Sequence, residues 1–317
     1  MRRIAEIVPV IFAVIVINFV LIHAAPGDPI YILAGEYGST EYYEMIREKY
    51  GLNKPLHEQL VFYVLRVLQG DLGWSYRFRS PVIDLILSRV GPTVLLVVTS
   101  LTIFVSLGVL SGVLASFRRY SVTDKFVTFF SLLGYSIPVF WLGQLLILFF
   151  SIYAGWFPVS GMSSTEFGAG PVNVFERVLD LLSHLVLPSV TLATFHLALI
   201  SRLTRASMLD ALSEDYVITA RAKGLGKGKV LYHALRNALL PVATMIGLDI
   251  GLMMGGAVIT ETVFGWPGMG RLLFDAINAR DYPLITGVFI ILTIAVAVAN
   301  LVTDLIISKL DPRIRHT

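Results

Sequence analysis

The chain has 317 residues, of which 56% are apolar and only 15% charged, against about 45–50% and about 25% in soluble domains. That excess excludes an ordinary soluble protein and points to a bilayer. The absence of cysteine excludes disulfides and thiolate chemistry, and six histidines (His23, His57, His184, His196, His233, His316) with no close pair at metal-ligand spacing argue against a zinc site.

A bilayer crossing needs about 20 mostly apolar residues. Six stretches are predicted as transmembrane helices: 7–22, 93–115, 126–153, 184–201, 239–259 and 284–307. The first, inside "MRRIAEIVPVIFAVIVINFVLIHAAPGD", competes with a cleavable secretory signal ending near Ala24–Ala25, but its apolar run is long for one. Residues 26–91 form the longest hydrophilic region, with short amphipathic helices expected over Glu41–Tyr50 and Lys54–Leu68 and a turn-rich stretch over Gln69–Val82. This region is either a cap packed on the spans or a docking surface. The third span is long and carries Pro138, a site for a kink. The loop over 154–183 holds "GWFPVSGM", whose aromatics suit a membrane interface. The fourth span is the least distinct, diluted by Thr191, Thr194 and His196.

Six spans place both termini on one side. Fifteen of the 25 Lys/Arg then share that side, while ten stand on the other beside fourteen acids. Positive charge stays inside, so the termini are expected in the cytoplasm and residues 26–91 outside. The net charge of +3 conceals this asymmetry, which reflects topology and not nucleic-acid binding.

Between the fourth and fifth spans lies a cytoplasmic loop, 202–238, containing "YVITARAKGLGKGKVLYHALRNALLPV" from Tyr216 to Val242. Ser213-Glu214-Asp215 reads as a helix start, with a hydroxyl cap and two acids in the first turn. That helix is expected to reach Lys223 and stop at Gly224. A second helix is expected over Lys229–Leu240, with Pro241 near the start of the fifth span. "GLGKGK" superficially suggests a phosphate-binding loop, but Gly224 and Gly228 are one residue too close, Val230 replaces Ser/Thr, and a helix precedes it. A solvated basic loop or lipid-headgroup attraction leaves the small residues Ala220, Ala222, Gly224 and Gly226 unexplained. A stiff corner of small residues suits the close approach of a protein partner.

This segment, "TARAKGL…HALRNALLP", resembles the coupling-loop motif of permease subunits of ATP-binding-cassette importers, in the form of the dipeptide/oligopeptide group. The resemblance covers almost the whole chain: "GDLGWSY" at Gly70–Tyr76, "SIPVFWLG" at Ser136–Gly143, "WFPVSG" at Trp156–Gly161 and "HLVLPS" at His184–Ser189. It continues in "ETVFGWPGMGRLLFDAI" at Glu261–Ile277, "RDYPLI" at Arg280–Ile285 and "DPRIR" at Asp311–Arg315. The general importer signature begins Glu-Ala-Ala, where this chain has Ile218-Thr219-Ala220, a departure shared with the peptide subgroup.

The resemblance implies one all-α permease domain over 1–317 in the cytoplasmic membrane, binding no cofactor and catalysing no reaction. It implies a second homologous permease, two cytoplasmic ATPase subunits that hold ATP and Mg, and an extracytoplasmic substrate-binding protein. Tyr216, Ala220, Arg221, Lys223, Gly224 and Leu225 are the expected ATPase contacts. Asp249, Met253 and Met254 in the fifth span are candidate pathway residues, since a carboxyl at that depth usually faces a cavity or a partner and Met lines adaptable surfaces. The alternative for Asp249 is a hydrogen-bonded link to another helix or to the second permease, and for the two methionines apolar packing. Gly251, Gly255 and Gly256 favour close helix approach; Asp304, His184 and His196 read as structural polar groups. Short peptides are the expected cargo, with oligosaccharides or a nickel complex as alternatives. A stand-alone secondary transporter would show an inverted repeat, and a membrane enzyme a catalytic cluster; neither pattern is visible.

Overall fold

The computed structural model describes residues 2–24, 30, 38–50, 53–75, 77–117, 119–164 and 173–310. Expectations for Ala25, Tyr76 and Asp311–Arg315 lie outside the described residues, as do the side chain of Asp304 and the surroundings of Gly256. The described chain is almost entirely helical: α1 (Arg2–Ala24), α2 (Thr40–Tyr50), α3 (Leu56–Leu68), α4 (Val82–Phe117), α5 (Val122–Ser136), α6 (Val139–Leu146), α7 (Val174–Ser213), α8 (Asp215–Ala222), α9 (Lys227–Val263), α10 (Met269–Asn278) and α11 (Tyr282–Leu310). A two-residue hairpin, β1 (Trp74–Ser75) with β2 (Ser80–Pro81), precedes α4, and α6 continues as a π-helical stretch over Ile147–Tyr153.

Among the described residues, four helical segments are long and apolar enough to cross a membrane: Val82–Phe117, Val174–Ser213, Lys227–Gly255 and Tyr282–Thr303. The expected third span is no straight rod. It breaks between α5 and α6 with a bend of 106°. Ile137 is extended there (ψ 125°), the conformation that the ring of Pro138 favours in the residue before it. The first expected span falls within α1, which is apolar over Pro9–Val20. The diluted fourth span lies in the longest helix, α7. Thr191 and Thr194 donate to the carbonyls of Leu187 and Val190 (2.8 and 2.7 Å), so their hydroxyls add little polarity.

The chain forms two compact units. One comprises Met1–Thr93 and Pro267–Val298. Its core joins Val82 and Ile86 of α4 to Met269, Leu272, Leu273 and Ala276 of α10 and to Leu284 and Val288 of α11. Met269 N–H donates to Thr93 Oγ1 (2.8 Å). α1 is held to α3 by His23 and Gln59 (2.9 Å) and to α11 by Asn18, whose amide donates to the Thr286 carbonyl (3.3 Å). Asp281 caps α11 from a fully buried position. Its Oδ2 accepts from Ser75 Oγ (2.5 Å) and Arg77 N–H (3.3 Å), its Oδ1 from Leu284 N–H (3.3 Å). One carboxylate thus fixes both the hairpin and the helix start. Burial pushes this carboxyl above the usual range, and the three donors only partly offset it.

The second unit comprises Val94–Trp266 and Ala299–Thr317. Here α7 packs along α9 and α5, and α6 packs on α7 and α9. α4 approaches α7 where Gly112 offers no side chain: a Cβ there would lie 2.5 Å from the Ser201 carbonyl oxygen and 2.6 Å from Thr204 Cβ. Ser111 Oγ donates to Ser201 Oγ (2.9 Å) at the same contact. Both atoms to be displaced belong to a helix backbone or its first side-chain atom, so Gly112→Leu must push the helices apart. The expected loss is about 1–3 kcal/mol, read as a lower melting temperature in detergent.

Asp281 yields a pH prediction. Its folded value lies above the unfolded one, so its contribution is full below about pH 4 and is lost as pH rises through the folded value. The melting temperature of wild type relative to Asp281→Asn should therefore fall as pH rises from about 4 toward neutral. A difference that is flat or rises over that range would contradict the assignment.

Candidate coupling corner and a buried polar pair

α7 ends at Ser213, and Glu214 leaves the helix with extended backbone (φ −72°, ψ 151°) before α8 begins. The N-cap is Glu214 without a side-chain bond, not Ser213. The Ser213 hydroxyl instead donates back to Asp210 O (2.7 Å), because the residue is still inside α7. α8 ends in a closed backbone motif. Gly224 N–H donates to Arg221 O (2.9 Å), and Leu225 N–H donates to Ala220 O (3.1 Å). Gly224 has φ +78°, the left-handed conformation that this helix stop requires and that glycine adopts without cost.

Gly226 then caps α9, which starts at Lys227 and runs unbroken to Val263. The separate helix expected over Lys229–Leu240 is thus the first part of a single helix that passes through Pro241. Ala234, Ala238 and Val242 are buried at four-residue spacing, so one packed face carries the helix across the missing N–H. Neighbouring helices commonly make such prolines tolerable in apolar surroundings.

The corner is anchored from within by buried Val217 and Val230. Arg221, Ala222, Lys223 and Gly224 are exposed, Ala220 and Leu225 half-buried, and Ile218 is 63% exposed. Tyr216 is half-buried, with its hydroxyl turned inward. Behind it, a cavity of about 750 Å³ is lined by Asp210, Glu214, His233 and Arg236 among others. The small residues Ala222 and Gly224 and the apolar Ile218 stand outward beside the cations Arg221 and Lys223. Sequence reasoning missed the anchor Val217 and the exposed Ile218, although their neighbouring positions on an eight-residue helix place them on different faces.

A second contact ties the base of α5 to the shaft of α7. Ser121 Oγ accepts from Asp124 N–H (3.3 Å), and Asp124 Oδ2 accepts from Tyr120 N–H (2.8 Å), a reciprocal cap. Arg205 of α7 then grips both carboxylate oxygens, with Nη2 at 2.8 Å from Oδ2.

The candidate pathway residues are sealed in this conformation. Asp249 and Met253 are fully buried and Met254 half-buried; Met253 belongs to an apolar cluster with Leu96, Phe104, Ile200 and Trp266. The polar group facing Asp249 is His196 of α7, with Nδ1 3.3 Å from Oδ2. His184 turns to Asp180 in the same helix. Among the described residues, no group of three or more His, Asp or Glu is placed to hold a metal ion.

Comparisons with known proteins bear on this arrangement. A family model described as "binding-protein-dependent transport system inner membrane component" matches residues 105–316, and one for the N-terminal region of such components matches 1–102. The chain is 40% identical over 332 residues to the dipeptide transport system permease protein DppB of Escherichia coli, covering 100% of this chain and 98% of the relative. It is 40% identical to the di/tripeptide transport system permease protein DppB of Pseudomonas aeruginosa (99% and 98% covered). To the oligopeptide transport system permease protein AppB of Bacillus subtilis it is 41% identical (99% and 98%). A solved structure of the MetNI methionine ABC transporter, in an inward-facing conformation, shares the fold at a TM-score of 0.57, with 16% identity, covering 72% of this chain and 97% of that one.

Proposed function

Because the chain belongs to the family of binding-protein-dependent transport system inner membrane components, as a multi-pass protein of the inner membrane, we propose that it is the permease subunit of an importer for di- or oligopeptides. The observation that carries this reading is similarity along the full length to three peptide-transport permeases at 40–41% identity.

In this reading the chain is one permease domain with six spans and both termini in the cytoplasm. α1 supplies the first span and the bent α5–α6 pair the third. The partners are a second homologous permease, two cytoplasmic ATPase subunits and an extracytoplasmic binding protein that delivers the cargo. ATP and Mg stay on the ATPase subunits, and this chain performs no chemistry. The cytoplasmic loop over 202–238 presents α8 to a groove of one ATPase. Ala220, Gly224 and the neighbouring Ala222 permit close approach, Arg221 and Lys223 meet acidic groove residues, Leu225 and Ile218 give apolar grip, and Tyr216 seats the helix from behind.

When ATP draws the two ATPase subunits together, the corner moves with its partner. Force passes into α7 and α9, because both helices begin or end at the corner. Nucleotide and loaded binding protein can shift the spans only as far as they prefer one arrangement. The pathway residues Asp249, Met253 and Met254 become exposed to cargo when α7 and α9 part.

The test is Gly224→Glu in the complete transporter. The point is exposed with nothing within 4 Å, so the spans stay free to insert, while a bulky acid strains the φ +78° turn, blocks approach and opposes an acidic groove; Lys223→Glu, at φ −77°, reverses the charge without that strain and is expected to act in the same direction. ATP hydrolysis stimulated by the loaded binding protein is expected to fall about tenfold or more, about 1.4 kcal/mol in activation free energy, with co-purified ATPase reduced. Unchanged transport would overturn the docking role.

A further inference from the structure

Asp249 is 0% exposed and His196 is 5% exposed. They come from different helices, α9 and α7, and meet at 3.3 Å. Aromatic rings enclose the imidazole: Phe104 of α4 lies 5.5 Å away between ring centroids, and Phe195 stands edge-on at 5.4 Å. From the described residues, neither oxygen of Asp249 and not Nδ1 of His196 takes part in a hydrogen bond of good geometry. Two other buried acids are held differently. Asp281 receives three donors, and Asp124 receives a backbone N–H and a guanidinium.

A lone carboxylate in such surroundings is expensive. At 3.3 Å the two groups are near enough for attraction, without the alignment of a hydrogen bond. The same two helices are joined at the coupling corner, where α7 leads into α8 and α9 leads out of it. His196 and Asp249 therefore tie the two shafts a second time, inside their apolar stretches.

We propose that His196 and Asp249 form a polar latch between α7 and α9, in which His196 is a positioning residue that faces and covers the buried Asp249 carboxyl. Any rearrangement that brings Asp249 to a polar pathway has first to part this pair. The latch stands on geometry; its bearing on transport rests on the reading of Asp249 as a pathway group.

The test uses the whole transporter, purified with its partner subunits in nanodiscs, and compares His196→Gln, Asp249→Asn and the double variant. Glutamine keeps a hydrogen-bond donor but removes the imidazole that faces Asp249. His196→Gln is expected to lower the melting temperature by roughly 5 °C, Asp249→Asn to change it little, and the double variant to recover most of the loss. If His196→Gln does not assemble, recovery of assembly yield in the double variant is the same result. Additive losses, or a His196→Gln protein that melts like wild type, overturn the latch. For the transport half, hydrolysis of ATP without binding protein should change about fivefold in Asp249→Asn and in the double variant alike, within the ordinary range of coupling between sites. Recovery in melting with unchanged hydrolysis in both leaves the latch standing and removes Asp249 from the pathway.

Discussion

Backbone N–H and C=O groups in hydrocarbon have no water to turn to, so each must be satisfied within the chain. That constraint explains why this protein is built of long helices and why its departures from helix carry meaning. At the α5–α6 break, the residue before a proline leaves the helix. At the corner between α8 and α9, two backbone bonds close the end of α8 around Gly224. At the start of α11, a buried carboxylate gathers the donors of the hairpin and of the helix start. Each interruption comes with its own supply of partners.

The same constraint gives the molecule its mechanical character. α7 has 40 residues and so spans roughly 60 Å at 1.5 Å per residue. It is gripped near its C-terminal end by the Arg205–Asp124 pair and along its length by α9. Close approach at Gly112 leaves no compressible side chain between α4 and α7. A displacement delivered to such a shaft is carried along it and little is absorbed by local repacking.

Much of this was legible from the residues. Apolar run length located the long helices, and glycine chemistry located the corner at Gly224. Local signals failed where distant partners decide. Ser213 looked like a cap, but α7 extends through it; Pro241 looked like a helix start, but a buried alanine–valine face carries α9 across it. The dilution of the fourth span was misleading because its threonines return their hydroxyls to the helix backbone. Arg205 and Asp124 stand 81 positions apart, and His196 and Asp249 are also far apart in sequence. No periodicity in one segment encodes such pairings; they follow from which helix faces meet.

The end of α8 is closed by main-chain atoms alone, with the glycine conformation as its one demand on residue type. Its outline is therefore nearly independent of what Ala220, Arg221, Lys223 and Leu225 carry on their side chains. Shape and address are separable here. The side chains at this corner can be rewritten while its backbone keeps the same form.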